Sequence, residues 1–404
     1  MNQLSLFDQA EKALSADAFL NDIQTFNEFG QNTLLEVSGG IPYYINEFWT
    51  SAQRQAHSIH EISYRACFKA QLPAFFIARL TRPGDVVFDP FMGRGTTPVQ
   101  AALMDRRALG NDINPLSTLL TRPRLHPIAV ADVASALRSI DWSRGEILRE
   151  DLLAFYHPKT LQKLESLRLW LAERANFGPV ADWIRMVALN RLSGHSPGFF
   201  SGRSMPPNQA VSVKAQRKIN EKLGVQPPER DVVDVILRKT KTLLKDGSPP
   251  AGRLSGLHTG PAWDIPGVAD ATVDLVVTSP PFLDIVQYAA DNWLRCWFAG
   301  IDPASVAIDL HKSEDDWAAM VRTVLQEQAR ILRQGGYVAF EVGEVRKGKV
   351  LLEKLVWSAA DGLPFNRIAV VVNDQEFTKT ANCWGVSNNS GGTNTNRIVI
   401  LQRQ

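Results

Sequence analysis

Cysteine is scarce in this sequence: Cys67, Cys296 and Cys383 are the three in 404 residues, far apart and without CxxC or Cys/His metal spacing. That argues against a disulfide framework or a zinc site and leaves the thiols as packing residues, so no metal is expected. Long hydrophobic runs are lacking too. No window approaches the roughly 18 uncharged apolar residues of a membrane span. The segment MNQLSLFDQAEKALSADAF carries acids where a signal peptide would be basic and then apolar. The expectation is a cytoplasmic chain that crosses no membrane. An excess of one charge is missing as well, with 44 Lys and Arg against 42 Asp and Glu. Such a balance does not decide whether nucleic acid is bound, because a local basic face matters and the chain average does not. Internal repeats and long low-complexity runs are absent. So is GxxxxGK(S/T), which counts against a nucleoside triphosphatase.

What is present is 45% hydrophobic and 21% charged residues, enough to bury a large core in a main domain with an insertion. An amphipathic stretch covers residues 59–80, and short apolar strand patterns cover 85–89 and 108–112, spaced as one βαβ unit requires. From about 128 to 250 the period becomes helical, at 130–140, 158–174, 179–192 and 231–244. Strand patterns resume at 254–258, 273–278, 336–342, 368–373 and 397–401. Seven strands and one helical insert predict a doubly wound α/β sheet. The expected divisions are an N-terminal extension (1–57), two halves of the main domain (58–127 and 251–404) and the insert (128–250).

In DVVFDPFMGRGTTPVQAAL a β-branched strand ends at Asp89, Gly93 and Gly95 allow a tight turn, and Thr96 and Thr97 begin a helix. Such a turn lets backbone approach a ligand closely and aims free N–H groups at an anion. By itself it fits a tight strand-to-helix connection or a mononucleotide site equally well. GNDINP ends the next strand on Asp112, where an acid can accept hydrogen bonds from both ribose hydroxyls or simply cap a helix. The two together favour an adenosyl cofactor.

At VDLVVTSPPF an apolar strand runs into Ser279, Pro280, Pro281 and Phe282. Two prolines fix the backbone and remove two N–H donors, leaving carbonyl oxygens and the Ser279 hydroxyl as acceptors. An exocyclic –NH₂ requires such acceptors, and Phe282 offers a face for a base to stack on. The plainer alternative is a Pro-Pro strand stop beside a core phenylalanine.

These residues resemble the amino-methylating DNA methyltransferases, which produce N4-methylcytosine or N6-methyladenine. The resemblance covers roughly residues 58–127 and 254–401. HSIHEISYRACFKAQLPAFFIARLTRPGDVVFDPFMGRGTT is similar to the family's cofactor-flanking segment and first glycine motif, with Tyr64 and Phe68 at matching aromatic positions. GNDINPLS resembles its ribose-binding motif and TSPPF its catalytic tetrapeptide. The resemblance implies a Rossmann-like seven-stranded class I sheet with an antiparallel last strand. It implies S-adenosyl-L-methionine as cofactor, held by Tyr64, Phe68, Asp89, Phe91, Gly93, Gly95, Thr96, Thr97, Asp112 and Ile113. Ser279, Pro280, Pro281 and Phe282 would be catalytic, double-stranded DNA the substrate, and a restriction endonuclease a partner of the system. Serine in the first tetrapeptide position is commoner among cytosine N4 enzymes, aspartate among adenine N6 enzymes. The 5-methylcytosine chemistry uses a Pro-Cys nucleophile, whereas Ala66, Arg295 and Asn382 precede the cysteines here. One departure concerns HTGPAWDIP, where Pro261 stands at a position the family often fills with an acid. Trp263 or Asp264 would take over contact with the adenine ring, although Trp263 equally fits a core residue.

The cofactor motif precedes the catalytic motif and the insert separates them, which resembles the family's cofactor–recognition–catalysis order. The insert is therefore the candidate for target recognition, without a standard DNA-binding motif. Arg203, Lys214, Arg217, Lys218, Lys222, Arg230, Arg238, Lys239, Lys241 and Lys245 outnumber Glu221, Glu229, Asp231 and Asp234 there. The excess can neutralise phosphates, or be an ordinary solvated helix face. SGHSPGFFSGRSMPPN, with Phe199, Phe200 and Arg203 among turn formers, reads as an ordered functional loop in which His195 is structural. If strand 368–373 is parallel to the central strands, segment 374–394 emerges on the face of Ser279, and Lys379, Asn382, Asn388, Asn389 and Asn394 border DNA. A loop without contacts fits the same composition. Tyr288, Asn292 and Trp293 would support the catalytic turn, and Asp284 would neighbour the base. Three further readings stay open: an adenine N6 enzyme, an RNA or protein-amide methyltransferase, and a silent nucleic-acid-binding subunit.

Overall fold

The computed structural model describes residues 13–50, 56–64, 67–173, 178–204, 210–283, 288–308, 311–345, 349–374 and 395–404. Along the chain come α1 (Ala16–Gln24), β1 (Leu34–Ser38), β2 (Ile41–Asn46), α2 (Gln71–Leu80), β3 (Val86–Asp89), α3 (Thr96–Leu103), β4 (Arg107–Asp112) and α4 (Pro115–Leu125). The insert follows as α5 (Val130–Arg138), α6 (Pro158–Glu173), α7 (Pro179–Arg191), α8 (Val213–Leu223) and α9 (Val232–Leu243). After it come β5 (Gly256–Thr259), β6 (Val273–Thr278), α10 (Tyr288–Ala299), α11 (Glu314–Ile331) and β7 (Leu332–Val342). A small hairpin of β8 (Glu344–Val345) and β9 (Val350–Leu351) leads to α12 (Leu352–Ala359), β10 (Phe365–Asp374) and β11 (Thr395–Arg403).

Nine strands among the described residues form one sheet in the order β1-β2-β10-β11-β7-β6-β3-β4-β5. The seven from β10 to β5 are those whose patterns the sequence displays. Strands β5, β4, β3, β6 and β7 are mutually parallel, and β11 is antiparallel to both β7 and β10. That is the Rossmann-like methyltransferase arrangement with its last strand reversed. Because β11 is antiparallel to both neighbours, β10 runs with the central strands.

The other two strands extend the expected seven. β2 adds in parallel to β10, with Val370 opposite Tyr43, and β1 folds back on β2 as an antiparallel edge. All five residues of β1 are exposed, so no buried face imprints a period on LLEVS. The β10–β2 junction is fixed by Asn373, fully buried, whose Oδ1 accepts the Phe48 and Trp49 N–H groups at 2.7 and 3.0 Å.

Alternate residues of the central strands supply two cores, one on each side of the sheet. Val87, Leu275 and Val277 join Phe75, Phe76 and Trp49 on one side. Phe88, Val276, Val338 and Phe340 join Trp317 and Val324 of α11 on the other. β6 is buried at all six positions, as a central parallel strand covered on both faces should be. The insert helices belong to the first core: Trp183 and Ile184 of α7 and Val235 and Ile236 of α9 are continuous with it. The amphipathic pattern at 59–80 is only partly helical. A single 3₁₀ turn at Ser58–His60 precedes backbone that is non-helical at 61–64 and 67–70, and α2 begins at Gln71. Tertiary hydrogen bonds explain this, since Asn190 of α7 takes the Ser63 N–H at 3.0 Å and donates to the Glu61 carbonyl at 3.2 Å.

Candidate active site

The site is built where β3, β4 and β6 end side by side, the crevice open α/β sheets use for ligands. β3 delivers Asp89, β4 delivers Asp112 and β6 delivers Thr278. Buried bonds lock the two motifs together. The Thr278 hydroxyl donates to Asp89 Oδ1 at 2.7 Å, and the Thr97 hydroxyl donates to the Val277 carbonyl at 3.1 Å. Asp89 is 1% exposed. Burial pushes its carboxyl up to about 7 in spite of the bonds from Thr278 and the Phe91 N–H. Asp89 and Thr97, read from the sequence as cofactor residues, thus hold the turn's position from beneath.

Above them the glycine turn is tight. Gly93 and Gly95 have φ of 50° and 77°, and a Cβ on Gly95 would lie 2.2 Å from Thr121 Oγ1 of α4. A Cβ on Gly93 would instead meet Tyr64 Cε1 and Cys67 Sγ at 3.9 Å, so the glycine leaves a notch under the Tyr64 ring. Asp112 closes the other side. Its Oδ2 accepts the Gly93 N–H at 2.8 Å and its Oδ1 the Asn114 N–H at 2.9 Å, while burial raises its pKa. Buried Asn114 caps α4 by accepting the Leu116 N–H at 3.1 Å.

Tyr64, Phe68, Phe91, Asp112 and Ile113 are all half-buried around this turn, while Thr96 and Thr97 are buried at the start of α3. Trp263 is 36% exposed and Asp264 is exposed. Exposure removes the core alternative for Trp263. The segment carrying it starts beside Asp112, because the Gly260 N–H donates to the Asp112 carbonyl at 3.1 Å. An acid, half-buried aromatics and a glycine notch in one crevice fit an adenosyl group.

Sequence reasoning missed the arginines that hold this segment. Arg94 donates from Nε to Thr96 Oγ1 at 3.1 Å, from Nη1 to the Ile62 carbonyl at 2.8 Å and from Nη2 to the Phe68 carbonyl at 3.3 Å. Fully buried Arg124 donates to the carbonyls of Leu120 and Arg94, and burial brings its pKa down to about 9. Neither has a sequence signal beyond Arg94's place between two glycines.

The TSPPF turn has two anchors. Leu283 is fully buried, and the Trp317 indole of α11 donates to the Pro281 carbonyl at 2.8 Å. Ser279 and Phe282 are half-buried and Pro280 is buried; Phe282 packs against the second core. The Ser279 hydroxyl bonds to Glu341 at the end of β7, another residue without a sequence signal. Asp284 lies outside the described residues, as does the side chain of Tyr288. Asn292 is buried and accepts from Arg295 Nη1 at 3.0 Å, and the Trp293 ring stands 5.8 Å from that of Phe155 in the insert.

In the insert the expectations divide. Phe199 and Phe200 lie in an ordered non-helical segment, as expected of a loop, with their side chains buried: Gly194 lets the Phe199 ring pack against backbone, and the Arg191 guanidinium covers it at 4.1 Å. His195 is exposed. Lys239 is buried and bonded to Glu61 at 3.1 Å, and Arg238 pairs with Asp234 at 2.5 Å. By contrast Lys214, Arg217, Lys218 and Lys222 are exposed on α8, where Gln216 alone is buried. Gln216 Nε2 donates to the Arg203 carbonyl at 2.9 Å, which brings exposed Arg203 alongside. Lys379, Asn382, Asn388, Asn389 and Asn394 lie outside the described residues. Among the described residues no His, Cys, Asp and Glu cluster could hold a metal ion, and no helix is long and apolar enough to cross a membrane.

Comparison with known proteins adds names to this geometry. Residues 32–117 match the N6/N4 family model described as DNA methylase. The type II methyltransferase M.MjaII of Methanocaldococcus jannaschii is 39% identical over 72 residues, 18% of this chain and 13% of that one. M.BsoBI of Geobacillus stearothermophilus, also a type II methyltransferase, is 22% identical over 294 residues, 62% of this chain and 54% of that one. The chain thus spans about half, or less, of the length of these relatives. Among solved structures, TrmN from Thermus thermophilus aligns over 84% of this chain and 50% of its own at 12% identity, with a TM-score of 0.34.

Proposed function

We propose that the chain is an amino-methylating DNA methyltransferase that transfers a methyl group from S-adenosyl-L-methionine to the exocyclic N4 of cytosine in double-stranded DNA. The observation that carries this reading is the pair of buried bonds from Thr278 to Asp89 and from Thr97 to Val277. They hold the glycine turn and the Ser279 turn as one unit, as transfer between two bound groups requires. Serine at position 279 favours cytosine N4 over adenine N6.

Tyr64, Phe68, Phe91 and Ile113 would enclose the adenosyl group, Asp112 would take the ribose hydroxyls, and Trp263 with Asp264 would border the adenine. When bound, the cofactor supplies an electrophilic sulfonium methyl. The target base, flipped from the duplex at a cost of a few kcal/mol, would stack on Phe282. Its amine would donate to Ser279 Oγ and the Pro280 carbonyl; the Pro281 carbonyl is already engaged by Trp317. An amine nitrogen conjugated into the ring is a poor nucleophile. Two accepted N–H bonds would draw it toward sp³ geometry and free its lone pair for in-line attack, the N–C bond forming as the methyl–sulfur bond breaks, with the thioether as leaving group and one amine proton lost to solvent after transfer. Exposed Arg203, Lys214, Arg217 and Lys218 would meet phosphates, and Lys379 and Asn388, outside the described residues, belong to the same reading. Site-specific action, a restriction endonuclease partner and a cytoplasmic setting complete it.

The test is transfer of radiolabel from S-adenosylmethionine to duplex DNA, followed by nucleoside mass spectrometry. N4-methylcytosine is expected. N6-methyladenine as the product would move the assignment to adenine, and label in RNA or protein alone would overturn it.

A further inference from the structure

Two buried glutamates near the carboxyl ends of the sheet differ in their partners. Glu353 of α12 is fully buried and faces Arg397 Nη1 at 3.0 Å, an ordinary compensated charge. Glu341 of β7 is also buried, yet among the described residues no cation acts on it. Its neighbours are Asn396 of β11, which donates to Oε1 at 2.9 Å, and the hydroxyl of Ser279 beyond the end of β6. Strand register brings this about. Thr278 pairs with Phe340, so the next residue along each parallel strand is Ser279 on one and Glu341 on the other. A buried carboxylate without a cation costs several kcal/mol, which folding alone gives no reason to retain.

The chemistry of a hydroxyl supplies a reason. Serine has one hydrogen and two lone pairs, so it accepts from a substrate amine reliably only when its own hydrogen is directed elsewhere. We propose that Glu341 is a positioning residue that takes the Ser279 hydroxyl hydrogen, making Ser279 an obligate acceptor and selecting an amino group over a carbonyl in the target base. This rests on the amino-methyltransferase reading. The same anion, one hydroxyl away, also favours the positive charge that develops on the nitrogen as the methyl arrives. Burial raises the Glu341 pKa against the two donated bonds, so each bond matters to whether it is ionised.

Two measurements on the full chain test the inference. In the first, the carboxyl of Glu341 is titrated by carbon NMR without cofactor or DNA. Ser279→Ala, which removes one donated bond, is expected to raise its pKa further; an unmoved titration would sink the proposal whether or not the chain methylates anything. In the second, single-turnover transfer to duplex DNA is compared for Glu341→Gln, Ser279→Ala and the double variant. Glu341→Gln is expected to slow transfer about 10- to 100-fold, with S-adenosylmethionine affinity within about twofold, partial rescue by Glu341→Asp, and no added loss in the Ser279→Ala background. Losses that multiply in the double variant would mean that Glu341 does not act through Ser279. A wild type that transfers no methyl to nucleic acid would count against the methyltransferase reading, leaving the titration to decide the contact itself.

Discussion

The junction between β3 and β6 and the basic face of α8 use polar side chains in opposite ways. At the junction, Asp89, Thr97 and Thr278 are buried and bonded across the sheet to one another or to backbone. On α8, Lys214, Arg217, Lys218 and Lys222 stand in solvent while Gln216 and Asn220 tie the helix down, Asn220 Nδ2 donating to the Ala154 carbonyl at 2.7 Å. Buried polar groups fix geometry and are sensitive to small changes, because an unmet partner costs about 1–3 kcal/mol. Exposed cations act through screened attraction and tolerate substitution singly. On the proposed function, the first region is therefore expected to answer to mutation in stability and turnover, the second in salt-dependent binding.

The largest effect belongs to the glycine turn. Gly95→Ala forces a Cβ to 2.2 Å from Thr121 Oγ1 at a φ of 77°. It should cost about 3 kcal/mol or more in urea unfolding and abolish S-adenosylmethionine binding. Gly93→Ala, with 3.9 Å of clearance, should cost only about 1 kcal/mol of backbone strain. Equal costs would show that the close approach to α4 does not govern the turn. Next comes Ser279→Ala, expected to lower kcat about 100-fold, or roughly 2.7 kcal/mol, with cofactor affinity unchanged. Loss of cofactor affinity with normal turnover of the bound complex would remove Ser279 from the chemistry.

Legibility in the sequence follows the same division. Strand β6 and the turns around Gly95 and Ser279 are visible because local composition forces them: a six-residue apolar run, glycines at positive φ, two consecutive prolines. The exposed edge strand β1 and the polar helix α8 carry no buried stripe and leave no comparable signal. Phe199 and Phe200 lie in non-helical backbone, as the turn formers around them imply, while their burial rests on tertiary packing that local composition does not encode. Arg94, Arg124 and Glu341 give no signal for a related reason: beside the local bonds to Thr96 and Leu120, the arginines reach backbone carbonyls 26 to 65 residues away, and the glutamate's partners lie on or beyond neighbouring strands. No local pattern encodes contacts of that range.

The junction also has a pH signature. The Asp89 pKa rises from 3.8 to about 7, chiefly through desolvation. A carboxyl whose folded pKa is raised binds its proton more tightly in the native state, so its contribution to stability is complete below the unfolded pKa and is lost as pH climbs through about 7. Wild type should lose about 2 kcal/mol from this group between pH 5 and 8. Asp89→Asn keeps an acceptor for Thr278 and the Phe91 N–H but cannot ionise, so its stability should be flatter over that range. Parallel curves from denaturant titrations would place the charge elsewhere.

The smallest effect on the fold, and the sharpest on binding, is expected at α8. Replacing Lys214, Arg217 and Lys218 together with Gln should change stability by no more than about 0.5 kcal/mol, since the three side chains are exposed. If each meets a phosphate, the slope of log affinity for duplex DNA against log salt should fall by up to about 3, at about 0.9 per contact. Lys239 is the internal control. It lies on α9 with the same charge, but it is buried and bonded to Glu61 at 3.1 Å, and burial lowers its pKa. Lys239→Met should leave the salt slope untouched and act on stability alone. A slope that responds to Lys239 and ignores the α8 trio would reverse the assignment of which basic residues face DNA and which hold the insert together.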